Sequence, residues 1–149
     1  TEKTKKTSCL VIVGSGPEEQ KLKKFAKDLN IENKIVWMGH SNNVGNVLKK
    51  IDVFCMNSKF EGLGLVLLEA MSFSKPIIAP KVSAIPEVVI NMKNGILVNQ
   101  NSVTSYSKAM IKMVDKRLRN KLSKTSQIIL KEKFNFSKMI NKTQELYSS

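Results

Sequence analysis

The sequence predicts an α/β fold of three layers, a parallel sheet with helices on both faces, and two observations carry that expectation. Apolar runs rich in β-branched residues recur along the chain, and helix-like segments separate them. The runs CLVIV (9–13), KIVWM (34–38), DVFCM (52–56), PIIA (76–79) and GILV (95–98) are near-continuous rather than alternating, the pattern of strands buried on both faces. Strands and helices in this alternation imply right-handed crossovers between parallel strands.

Taken in order, residues 1–8 (TEKTKKTS) form a charged, disordered or tag-like tail, and a single domain is expected over 9–149. Glu18 to Leu29 reads as a helix starting after Pro17, with Leu22, Phe25, Ala26 and Leu29 on one face. Val44 to Ile51 and Leu65 to Phe73 supply two more. After Val98 no strand is expected. Residues 102–148 read as two or three amphipathic helices, with a break around Lys131 to Asn135 and a final helix carrying Met139, Ile140, Leu146 and Tyr147. The two cysteines, Cys9 and Cys55, sit in apolar runs and read as reduced core residues. One histidine and no Cys/His cluster leave nothing to build a metal site from, so no bound metal is expected. No apolar run is long enough to span a bilayer or serve as a signal peptide, and a cytoplasmic location is expected.

The 149 residues are 42% apolar, enough for a real core, and carry a net charge of +13. The excess is concentrated: residues 101–149 hold eleven Lys and Arg against three acids. Lys108, Lys112, Lys116, Arg119, Lys124, Lys131 and Lys138 interleave with apolar residues at helical spacing. These residues read as solvated helix faces or as a surface for anionic lipid at the inner face of the membrane. Nucleic acid is not expected, because the aromatic interleaving of a single-strand surface is missing.

In an open parallel sheet, ligands sit at the carboxyl ends of the strands, so the loops after residues 13, 38, 56, 79 and 98 are the ones that matter. Gly14, Ser15, Gly16 and Pro17 form a tight turn where backbone could approach a ligand, or a plain strand-to-helix turn. As a dinucleotide fingerprint the segment fails, with Glu19 at the third glycine position and Val36 where an acid is required. A dinucleotide-dependent oxidoreductase is thereby disfavoured; a basic interaction module stays open as a rival. The stretch SKFEGLGLVLLEAMSFSKP (58–76) places Gly62 and Gly64 at a helix start, where free N–H groups and the helix dipole favour phosphate oxygens. Glu61 falls in the loop ahead. Glu69 falls among Val66, Leu67, Leu68, Ala70 and Met71, where an unpaired buried carboxylate costs several kcal/mol and needs donors. The residues alone also admit an exposed loop acid for Glu61 and a solvated or backbone-bonded helix acid for Glu69.

This stretch resembles the retaining nucleotide-sugar glycosyltransferases of family 4 (group 1), specifically their C-terminal donor-binding domain, a Rossmann-like half of the GT-B fold. The resemblance rests on Ser58, Glu61, Gly62, Leu63, Gly64, Glu69, Ala70, Met71 and Pro76 at the family's spacing. It extends to Gly14–Pro17, Asp52–Ser58, Ala84–Val88 and Asn94–Val98. It implies transfer of a sugar from a nucleoside diphosphate sugar, UDP- or GDP-linked, to an acceptor hydroxyl, in polysaccharide or glycolipid synthesis. Glu61 would act at the donor sugar as the catalytic residue, Gly62, Leu63, Gly64 and Leu65 would offer N–H groups to the diphosphate, and Glu69 would bind ribose hydroxyls. Gly14 and Gly16 would approach the donor, while Gly39, His40 and Ser41 would lie beside the base. Without a DxD motif, the donor would be used without metal, and no cofactor is implied. Ser15, Leu63, Ser74, Ser83 and Ala84 depart from the pattern, the last three replacing glycines. Residues 1–8 do not match the family's first strand and basic clamp, so the chain is expected to be a fragment lacking an N-terminal acceptor domain and inactive alone.

Overall fold

The structure is a computed structural model that describes residues 8–135, 140–141 and 144–147. The chain divides into two compact units, residues 1–44 and 45–149. In the first, β1 (Leu10–Ile12) pairs in parallel with β2 (Ile35–Trp37), Val11 opposite Val36. Between them run α1 (Glu19–Asp28) and a 3-10 turn (Glu32–Lys34), giving the expected strand–helix–strand order. Helix α1 carries Glu19 in its first turn and Lys27 in its last, both favourable to the dipole. It stops at Leu29, whose N–H donates to the Phe25 carbonyl, and Asn30 turns the chain away at φ 53°.

The apolar stripe predicted for this helix forms only in part as a core. Ala26 is buried, whereas Leu22, Leu29 and Phe25 are exposed, Phe25 at 60%. Leu10 and Val36 on the strands are exposed as well, so β1 and β2 are not buried on both faces. Two strands of three residues are too small a platform to cover a three-turn helix.

Helix α2 (Val44–Lys50) starts at the last residue of the first unit, and the second unit continues with β3 (Phe54–Cys55), α3 (Leu65–Ser72), β4 (Ile77–Pro80), α4 (Ile85–Val88), β5 (Gly95–Val98), α5 (Val103–Lys112) and α6 (Lys116–Lys133). Its sheet is parallel throughout, in the order β3-β4-β5. The five predicted strands therefore all form, as two sheets among the described residues. Central β4 is sealed, with Ile77, Ile78 and Ala79 fully buried. Ile78, Ile96 and Val98 pack with Ala109 and Met113 of the α5 end and with Leu122 of α6 as one core cluster. Burial of such side chains is worth about 1.5–3 kcal/mol each. Pairing of β5 against β4 depends on Gly95, since a Cβ there would lie 2.5 Å from the Ile77 carbonyl oxygen.

Both cysteines are free, but neither is a core residue: Cys9 precedes β1 and Cys55 lies on β3, which is paired on one side only, and both are exposed. The long C-terminal segment breaks twice. Helix α6 ends inside the predicted break, while the break at Met113–Asp115 has its own cause: Asp115 caps α6 by accepting from the Arg117 N–H at 2.8 Å. Beyond it, Ile140, Leu146 and Tyr147 are helical and exposed, and Met139 lies outside the described residues, as does the predicted tail over 1–7.

Ser74 and Ser83, two of the departures from the pattern that the sequence resembles, both adopt left-handed backbone, φ 56° and 46°. Glycine carries no such penalty. At Ser74 the strain is offset, because its hydroxyl accepts from Gln127 Nε2 at 2.9 Å. Ser83 is exposed and free of that compensation. Ser83→Gly is expected to stabilise the chain by about 0.5–1 kcal/mol in denaturant unfolding, net of glycine's entropy; a destabilised variant would contradict this reading.

Candidate functional site

The loop between β3 and α3 leaves the carboxyl end of β3 and carries Glu61, Gly62, Leu63 and Gly64. Gly64 is buried and left-handed (φ 68°, ψ 57°), and it is the residue from which α3 starts. A Cβ there would crowd Leu67 Cδ1 at 2.9 Å, and the positive φ strains any other residue, so the turn favours glycine. Helix α3 has no side-chain cap, unlike α5 and α6, which are capped by Ser102 and Asp115. Leu67 N donates to the Gly64 carbonyl at 2.8 Å, and the N–H groups of Leu65 and Val66 ahead of it form the helix's positive end. Around them, Gly62, Leu63 and Leu65 are exposed and Glu61 is half-buried.

Glu69 departs from expectation. It is exposed, not buried among apolar neighbours, because helical periodicity turns Leu67, Ala70 and Met71 inward and Leu65 and Glu69 outward. No desolvation cost arises. It lies four residues beyond Leu65, about 6 Å of backbone rise along the helix. Glu61 and Glu69 therefore belong to one loop-and-helix element at the carboxyl edge of the three-stranded sheet.

Gly14, Gly16, Gly39, His40 and Ser41 lie in the first unit. The structure brings the two loops together there: Gly14 N donates to the Gly39 carbonyl at 2.7 Å, and both glycines have positive φ, 119° and 62°. Beside them is an open cleft of about 270 Å³ lined by Ile12, Gly14, Ser15, Gly16, Leu22 and Trp37 among others. A Cβ at Gly14 or Gly16 would touch nothing within 4 Å, so backbone is accessible at this turn. The acids at the start of α1 are already paired, Glu18 with Lys21 at 3.0 Å and Glu19 with Lys23 at 2.6 Å. Lys23 also sits 5.6 Å from the Trp37 ring centroid. His40 is exposed, and among the described residues no carboxylate pairs with its imidazole; Ser41 Oγ accepts from Asn43 N at 3.3 Å. Among the described residues no group of three His, Cys, Asp or Glu could hold a metal ion.

Two residues at the carboxyl edge of the second unit escape sequence reasoning. Gln100 Nε2 donates to the Lys59 carbonyl at 2.7 Å, and the Tyr106 hydroxyl donates to the Met56 carbonyl at 2.6 Å. Desolvation first, and the neighbouring Cys55 second, push the Tyr106 phenol up to about 12. Cys55 keeps exposed surface as a residue, yet desolvation still pushes its thiol up to about 11, so it is a neutral thiol at pH 7.

Solved GT-B glycosyltransferases share this parallel α/β fold. TarM of S. aureus, solved with fondaparinux, alpha-GlcNAc-glycerol and UDP as its G117R mutant, superposes with a TM-score of 0.90 at 21% identity, covering 99% of this chain and 30% of that one. The C-terminal domain of a Francisella tularensis group 1 glycosyl transferase (LpcC) gives 0.78 at 26% identity, covering 86% of this chain and 70% of that one. The sequence matches the family described as Glycosyl transferases group 1 over residues 1–128, and the chain belongs to that family. Among curated relatives, the Escherichia coli UDP-Gal:alpha-D-GlcNAc-diphosphoundecaprenol alpha-1,3-galactosyltransferase is 32% identical over 94% of this chain. The Bacillus anthracis N-acetyl-alpha-D-glucosaminyl L-malate synthase is 30% identical over 93%. The chain spans 36% of the length of each of these two relatives.

The Tyr106 phenol fixes one pH dependence. A phenol whose folded pKa is raised stabilises the fold fully below pH 10, the unfolded value, and that stability is lost as pH rises from 10 through about 12. Tyr106→Phe is expected to cost about 1 kcal/mol at pH 7 through the lost hydrogen bond, and to flatten the alkaline loss. Chemical denaturation at pH 8, 10 and 11 measures both; an alkaline slope as steep as that of the parent chain would contradict the assignment.

Proposed function

We propose that this chain is the donor-binding domain of a retaining glycosyltransferase that moves a sugar from a nucleoside diphosphate sugar to an acceptor hydroxyl. The observation that carries the reading is the single element holding Glu61, the left-handed Gly64, the uncapped start of α3 and the outward Glu69 at a carboxyl sheet edge. In this reading the α3 N-terminus receives the diphosphate, with N–H groups from Gly62 to Leu65 and the dipole countering the charge that grows as the sugar departs. Glu61 accepts hydrogen bonds from the donor sugar's hydroxyls. Glu69, one turn on, takes the vicinal ribose diol with its two carboxylate oxygens. The departing phosphate takes the acceptor's proton on the face it leaves, so stereochemistry is retained and little side-chain acid–base chemistry is required.

Two similar solved structures, of Anabaena Alr3699/HepE, were determined with UDP and with UDP-glucose, which makes these the first probes to use. Acceptor binding belongs to a further, N-terminal domain of a longer enzyme, and turnover needs both. Calorimetric titration of the chain with UDP, GDP, ADP and their glucose conjugates tests the reading. Glu69→Ala is expected to weaken UDP binding roughly tenfold or more, since a hydrogen bond to a charged group is worth about 1.5–3 kcal/mol. Unchanged affinity in that variant would remove Glu69 from the site.

A second part of the reading concerns location. Lys116, Arg117, Lys121 and Lys124 are exposed on α6, and no helix among the described residues is long and apolar enough to cross a membrane. We propose that this face meets anionic lipid at the cytoplasmic surface, with about 1 kcal/mol from each cation near the headgroups. Sedimentation with vesicles containing phosphatidylglycerol is expected to retain the chain at low salt. Charge reversal at Lys121 and Lys124 is expected to release it, and equal binding to neutral vesicles would overturn the assignment.

A further inference from the structure

The β3–α3 loop, residues 56–64, is anchored by residues far away in sequence. Its start is the last ladder bond, Met56 N to the Ile78 carbonyl at 2.9 Å, and its end is the Gly64 turn. Between these points the chain is largely at the surface, with Lys59 exposed and Phe60 81% exposed. A loop of this kind has little packing of its own to fix it. One side chain holds its middle and a second reinforces its start. Gln100 reaches the Lys59 carbonyl at 2.7 Å from the loop after β5, and Tyr106 reaches the Met56 carbonyl at 2.6 Å from α5. Strand order explains how they arrive. Parallel β3 and β5 flank β4, so their carboxyl ends open on one edge, and the segment after β5 can cross to the loop after β3.

The donors are themselves fixed. Ser102 caps α5 by accepting from Ser105 N at 3.2 Å, and Asn99 N donates to Ser105 Oγ at 3.1 Å. Asn101 adopts left-handed backbone at φ 55°, a geometry asparagine tolerates, which sets the direction of the neighbouring Gln100. Each anchor is a side-chain donor on a backbone carbonyl, so it constrains the loop whatever residue occupies positions 56 and 59.

We propose that Gln100 and Tyr106 are positioning residues for Glu61, clamping the loop that presents it to a donor sugar. The proposal rests on the reading of Glu61 given above. A group that must meet a sugar hydroxyl within hydrogen-bond distance is sensitive to displacements of about 1 Å, and a surface loop fixed only at its ends does not hold such tolerance.

The test has two arms. Hydrogen exchange on the free chain compares the parent with Gln100→Glu, nearly isosteric but without a donor for the Lys59 carbonyl, and with Gln100→Lys, which restores one. Gln100→Glu is expected to speed exchange at residues 59–64 while leaving β4 and β5 protected, and Gln100→Lys is expected to return it most of the way. Calorimetry then compares UDP with UDP-glucose. Gln100→Glu and Tyr106→Phe are expected to lose roughly tenfold in affinity for UDP-glucose and little for UDP, because only the sugar reaches Glu61. Unchanged exchange over 59–64 overturns the clamp. Faster exchange with equal losses on both ligands overturns the link to Glu61 and leaves a merely structural tie. A parent chain that binds UDP and UDP-glucose equally sinks the reading of Glu61 itself, while the exchange arm still decides the clamp.

Discussion

An amide sealed from water must find every partner within the protein, and in this chain Asn94 does so at the junction of the elements that carry the site. Its side chain is fully buried; Nδ2 donates to the Val88 carbonyl at 2.9 Å, and Oδ1 accepts from Ile90 N at 2.7 Å. Its own carbonyl faces the buried Ser126 hydroxyl of α6 at 3.4 Å. Loss of either side-chain bond would leave a buried polar group unpaired, at about 1–3 kcal/mol. The chain leaving α4, the entry to β5 and the middle of α6 are thereby locked into one arrangement. From α6 the constraint passes to the site. Gln127 Nε2, one residue on from Ser126, donates to the Met71 and Ser72 carbonyls at 3.1 and 3.0 Å, closing the C-terminal end of α3. The far end of the same helix is its start at Gly64, which no side chain caps.

How much of this was legible in the sequence depends on the range of the interaction involved. The five strands announce themselves as continuous β-branched runs, and Gly64 and Glu61 as a motif, because those signals are local. For Glu69 the composition of VLLEAMS points to burial, and the alternative of a solvated helix acid is the one the structure bears out, because a period of 3.6 separates Leu65 and Glu69 from Leu67, Ala70 and Met71. The period was present and decides the matter. Helix α4 has four residues, too few to show any period, and so went unread. Gln100 and Tyr106 offered no local signal, since they act across 41 and 50 residues on carbonyls that every residue possesses.

The departures from the family pattern acquire a physical meaning in the backbone. Ser74 and Ser83 occupy left-handed positions that glycine fills without strain, and only one of them recovers part of the cost. Ser74 exchanges conformational ease for a bond to Gln127, which joins it to the same α6 anchorage that holds α3. A left-handed serine is here held by a contact from a distant helix.

The uncovered apolar side chains of the first unit, Phe25 on α1 and Val36 on β2 among them, sit on a molecule that carries +13. Those two properties oppose each other in solution. At about 0.01 M salt the repulsion between copies reaches roughly 30 Å, far enough to keep greasy surfaces from meeting; at 0.15 M it shrinks to about 8 Å. The colloidal behaviour of the isolated chain is thus expected to depend on ionic strength, with dilute buffer favouring dispersion over physiological saline.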